Sequence, residues 1–159
     1  MDIVIGGSYH KFLKQINDYH ELFEKNGHHV LAPMRNAQKS RIDEEHKYVL
    51  FQGQENMDSY KVQEEFFRKF IFDADAFVIV NPCGYVGIMA REELGAALMG
   101  ISLGQNDRPD INLKQIYFTN RFPLMSQIRA NWDLSPEEAE KDPEYQYLIN
   151  HYKDFNKRW

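Results

Sequence analysis

The run Ala76-Phe77-Val78-Ile79-Val80 constrains this chain more than any other segment. Uninterrupted apolar, mostly β-branched or aromatic residues predict a strand covered on both faces. Asn81-Pro82-Cys83-Gly84-Tyr85-Val86-Gly87 follows as a loop with glycines at two positions, 84 and 87. A strand buried on both sides needs helices above and below it, and the flanking sequence supplies them.

Ile3 to Ile5 is a second short apolar run, closed by Gly6-Gly7-Ser8. From Lys11 to Lys25, Phe12, Leu13, Ile16, Tyr19, Leu22 and Phe23 recur at helical spacing, and Asn26-Gly27 ends the pattern. His29 to Ala32 reads as a strand stopped by Pro33, Lys61 to Phe72 as a helix, and Ile88 to Ile101 as a helix rich in small residues. Ile116 to Phe118 reads as a further strand. Alternation of this kind predicts an α/β fold with a parallel sheet of four to five strands in a three-layer sandwich. Residues 34–60 are polar and irregular, which predicts a lid or binding loop. In the segment 122–159, Ser135-Pro136-Glu137-Glu138 and Asp142-Pro143-Glu144 are helix starts. The second continues through Tyr147, Leu148, His151, Tyr152 and Phe155, so a helical C-terminal tail is expected.

At 159 residues the chain is read as a single domain, residues 1–159. Its charge is mildly acidic, −5, with no basic stripe, which argues against a nucleic-acid polymer as partner. One cysteine, Cys83, cannot pair within the chain and points to a reducing compartment. No segment approaches the ~20 apolar residues that span a bilayer. The N-terminus lacks the basic region and cleavage site of a signal peptide. The expectation is a cytoplasmic protein with no membrane partner.

Ligands of open parallel sheets bind at the carboxyl ends of the strands. Gly6-Gly7-Ser8, the 81–87 loop and the start of the following helix should meet there. That loop is neither a Walker P-loop nor a Gly-x-Gly-x-x-Gly fingerprint. In the helix, Ala90, Leu94, Ala97, Leu98 and Ile101 form one apolar face. Glu92 points away from it, and Glu93 lies beside it among small neighbours. On spacing alone, a surface ion pair is the plainer role for Glu93. Asp73 and Asp75 precede the central strand and on position alone end elements at its amino end. No histidine pair has zinc-ligand spacing, and neither a metal nor another cofactor is expected. Cys83 has no histidine partner for nucleophilic chemistry.

Ile3-Val4-Ile5-Gly6-Gly7-Ser8, the stretch Ala74 to Gly87, and Glu92-Glu93-Leu94-Gly95-Ala96-Ala97 together resemble the nucleoside 2-deoxyribosyltransferase-like family. The resemblance covers about residues 1 to 120, and its specific part is Ala74 to Gly100. It implies a flavodoxin-like sheet of five parallel strands and a homodimer or higher homo-oligomer whose subunits close the site. It also implies cleavage or exchange of the N-glycosidic bond of a small-molecule (deoxy)nucleoside or (deoxy)nucleotide.

By the same resemblance, Glu93 falls on the catalytic glutamate and Asp75 on an aspartate that assists near the base or the nucleophile. Gly6, Gly7 and Ser8 fall on the loop lining the sugar and base, and Tyr9 follows directly. Asn81, Gly84, Tyr85 and Gly87 fall on the loop beside the nucleophile. The chain departs from the pattern at Gly87, where the transferases carry a second aspartate. It departs again at Ile88-Met89-Ala90, where nucleotide-hydrolysing relatives place a serine for the 5′-phosphate. Asp73, Tyr9 or a residue of 34–60 are the available substitutes for the acid. A non-catalytic nucleotide-binding or sensory module on the same fold is the alternative these departures suggest.

Overall fold

The structure is a computed structural model, and it describes residues 1–43, 48–106, 108–120, 141 and 152–154. Strand β1 spans Asp2–Gly7, helix α1 Tyr9–Lys25 and strand β2 His29–Ala32. Strands β3 (Lys39–Asp43) and β4 (Tyr48–Phe51) come next. Helix α2 (Ser59–Glu65) runs into a π-helical turn over Phe66–Ile71. Strand β5 (Ala76–Val80), a 3-10 turn over Pro82–Gly84, helix α3 (Ile88–Asn106), strand β6 (Gln115–Phe118) and strand β7 (Tyr152–Asp154) complete the described elements.

The main sheet has the order β2-β1-β5-β6-β7, with every neighbouring pair parallel. β5 lies at its centre, and all five of its residues are buried, as its unbroken apolar run requires. Side chains alternate across the sheet. Val4, Phe77, Ile79, Ile116 and Phe118 face α3 and the π turn, where Leu94, Ala97 and Ile101 meet them. Ile3, Ile5, Val78, Val80 and Tyr117 face the other way, onto Tyr9, Ile16 and Phe23 of α1. Helices thus cover both faces of the sheet, in agreement with the expected α/β layering. Among the described residues no helix is long and apolar enough to cross a membrane.

Two expectations are corrected. Residues 34–60 are not irregular throughout: β3 and β4 pair antiparallel as a separate two-stranded sheet, and α2 begins at Ser59. The run Tyr48-Val49-Leu50-Phe51 explains it, because Leu50 is fully buried and Val49 packs with the α1 side of the core. Tyr152, expected within a C-terminal helix, lies instead in β7 and pairs with Ile116 at the sheet edge. The helix starts at Ser135 and Asp142 lie outside the described residues.

Candidate functional site

Glu93 is the centre of the site. Its neighbours Ala90, Leu94 and Ala97 hold α3 on the sheet, which forces position 93 inward, and its side chain is 1% exposed. The surface ion pair that spacing alone favours is therefore not formed. Its neighbour Glu92 faces out, where Gln63 donates a hydrogen bond to it at 2.7 Å. Burial pushes the Glu93 carboxyl up from 4.5 to about 8; the Gly7 N–H bonded to it pulls the other way, and the charge of Glu92 adds to the rise. Glu93 Oε2 is buried with no hydrogen-bond partner among the described residues. A buried carboxylate oxygen without a donor is costly, so it needs a reason.

Glycine makes room for this carboxyl. A Cβ at Gly6 would stand 2.6 Å from Glu93 Oε2 and 2.5 Å from the Phe77 ring. Gly7 has φ +139°, and a Cβ there would lie 2.7 Å from the Val80 carbonyl oxygen. The end of β1 can therefore pass close over Glu93 and β5 only as glycine.

A cleft of about 160 Å³ opens above Glu93 and is lined by Gly7, Ser8, Tyr9, Tyr48, Tyr85 and Gly87, with His10, Lys11 and Met89 at its sides. It lies at the carboxyl ends of β1 and β5, the edge where such sheets bind ligands. The Tyr9 hydroxyl donates to the Ile5 carbonyl at 2.6 Å. Burial pushes the Tyr9 phenol well up, and Glu93 and Tyr48 add to this; burial, then Glu93, does the same to Tyr48. Both phenols therefore stay neutral. Tyr85 is fixed by the Lys11 ammonium 4.1 Å over its ring and by the edge of Phe12.

The structure brings Gly6, Gly7, Ser8, Tyr9, Tyr85, Gly87 and Glu93 together. Asn81 and Gly84 stand at the same sheet edge but turn from the cleft. Asn81 is buried and ties β5 to the end of β6: its N–H donates to Thr119 Oγ1, and its Oδ1 accepts from the Asn120 N–H at 2.9 Å. Gly84 holds the tight turn, with φ +78° and its N–H on the Asn81 carbonyl.

Asp75 does not join Glu93. It lies at the amino end of β5, about 16 Å along the strand from the cleft edge. Its carboxylate accepts from the Asp2 N–H at 2.9 Å, and its own N–H donates to the Asp2 carbonyl. It secures the start of β1, as its position alone suggests.

Tyr48 was missed by sequence reasoning because its segment reads as a loop. The signal was the apolar run it begins. His10, exposed on the first turn of α1, also lines the cleft. Among the described residues, no group of three or more His, Cys, Asp or Glu side chains could hold a metal ion. No protein-family model, no curated protein and no solved structure matches this chain.

Proposed function

We propose that this chain cleaves or transfers the N-glycosidic bond of a (deoxy)nucleoside or (deoxy)nucleotide, with Glu93 as the nucleophile. One observation carries the reading: a fully buried carboxyl, with one oxygen lacking a partner, lies under an open cleft at the ligand edge of a parallel sheet. The sequence resemblance points to the same glutamate. On this reading the sheet is flavodoxin-like, and its strands, counted along the chain, stand in the order 2-1-3-4-5 of that fold. A cytoplasmic homo-oligomer belongs to the same proposal.

The chemistry suits the site. As the glycosidic bond weakens, the sugar carbon gains oxocarbenium character, and a carboxylate beneath it stabilises that charge. The Glu93 carboxylate then bonds to the carbon while the C–N electron pair leaves with the base, which takes a proton from solvent in the open cleft. Water or an acceptor base attacks the same carbon next. The ester bond breaks, its electron pair returns to Glu93, and the attacking group gives up a proton. Asp75 has no part in these steps.

Only ionised Glu93 can bond to carbon. The kcat/KM of the nucleophilic reaction should therefore rise with pH and level off above about 8. The test is base release or exchange from a panel of deoxynucleosides and deoxynucleotides, with and without acceptor bases. Turnover that vanishes in Glu93→Gln supports the mechanism, and turnover that persists in that variant overturns it.

Gly87 favours a second reading. It leaves the cleft without the acid found there in the transferases, and the Tyr9 hydroxyl is committed to Ile5. A binding module would show ligand-dependent thermal stabilisation across the same panel with no released base.

A further inference from the structure

A larger cavity, about 240 Å³, adjoins the Glu93 cleft. Tyr9 and Tyr48 line both spaces, so the pair forms a shared wall. Beyond it the lining is mostly apolar: Leu31 of β2 and Pro33 just after it, Met34 and Met57 at the lip, Phe66 and Phe70 from the π-helical turn. A dry apolar cavity of about 150 Å³ already holds a benzene ring, so this one has room for a flat bicyclic ring.

Apart from the Tyr48 hydroxyl on the shared wall, its polar side chains already have partners within the protein. The Gln54 side-chain oxygen accepts from the Phe51 N–H at 3.1 Å, and Gln52 donates to Gln38 at 3.0 Å. Glu65 is bonded to Lys69, and the Tyr9 hydroxyl to Ile5. A ligand rich in donors and acceptors would lose its water here and find few partners, which costs affinity. Met34 is 72% exposed and Met57 39%, so two adaptable thioethers stand at an open mouth.

We infer that this pocket binds a flat apolar ring, and that the ring is the aglycone of the molecule whose reactive carbon lies over Glu93. The second half rests on the glycosidic reading above; the pocket's selectivity does not. Within the substrate class of that reading, the preferred substrate is an N-glycoside whose base is flat and poor in hydrogen-bonding groups, turned over faster than nucleosides of the more polar bases.

Indole and hypoxanthine are size-matched bicyclic probes of opposite polarity. Binding is measured by calorimetry and by NMR of ¹³C-methyl-labelled methionines. Indole should bind at least about tenfold tighter than hypoxanthine, the margin expected for one unpaired buried polar group. It should shift the Met34 and Met57 methyl signals, and the double variant Met34→Gln/Met57→Gln should weaken it severalfold. Both positions are exposed, so the fold is spared. Hypoxanthine binding equal to or tighter than indole, or indole binding indifferent to the double variant, would overturn the pocket's selectivity. If indole binds as expected but fails to compete with any turned-over substrate, the aglycone assignment falls. Absence of turnover both on the nucleoside panel and on the N-deoxyriboside of indole tells instead against the glycosidic reading.

Discussion

At the scale of single residues, Glu93 couples stability to pH. The folded chain keeps the Glu93 proton up to about pH 8, whereas the unfolded chain releases it near 4.5. Between those values the folded state binds more protons, so stability falls as pH rises through that window and is level above it. The loss is on the order of 5 kcal/mol at most. Glu93→Gln should remove that slope and be the more stable protein at pH 9, as read by urea unfolding at pH 5 and pH 9. The glycines make a second contrast. Gly6→Ala drives a methyl into Phe77 and Glu93 and should cost about 1–3 kcal/mol. Gly95→Ala, on an exposed helical turn with open space around it, should gain about 0.5–1 kcal/mol. Thermal unfolding of the two variants orders them. Much of this residue-level picture was legible beforehand: the helical face of α3 puts Glu93 beside its apolar stripe, and the glycines end an apolar run. What periodicity could not give was the depth of Glu93. That depends on how closely α3 packs on the glycine end of β1, a tertiary contact.

Among the elements, legibility followed the strength of the local pattern. β5 and α1 carry unbroken apolar or helical periodicity, and both form where expected. β3, Lys-Ser-Arg-Ile-Asp, has no such pattern and is a strand only because β4 pairs with it. β7 is an edge strand whose three residues, Tyr-Lys-Asp, are held by β6; after Asp142-Pro143-Glu144 they look helical because propensity is a weak prior against sheet pairing. The short helix α2 depends on its cap. Asp58 accepts from the Tyr60 N–H at 2.9 Å and the Lys61 N–H at 3.4 Å. Asp58→Ala should cost about 1 kcal/mol and loosen the helix that carries Val62 and feeds Phe66 into the apolar pocket. Hydrogen exchange across 59–71 should rise more than across α1.

For the whole molecule, the two packed faces share one sheet. Ile5 lies on the α1 side and Ile79 on the α3 side, and each is fully buried. Because β1 and β5 are hydrogen-bonded neighbours, neither face can unpack alone. Ile5→Ala and Ile79→Ala should each lower stability by roughly 2–5 kcal/mol. Both should leave a single transition, with far-UV and near-UV circular dichroism coincident. Separate transitions would mean that the faces melt independently.

The parallel pairing of β6 with β7 has a consequence for how the chain is made. β6 ends at Phe118, and its outer partner does not begin until Tyr152. While residues 119–151 are being synthesised, Gln115–Phe118 present an open hydrogen-bonding edge to whatever lies nearby. Unpaired edges of this kind recruit other strands. The nascent chain is therefore most exposed to misassembly between the synthesis of β6 and that of β7, and a chaperone that shields β6 would act in that interval.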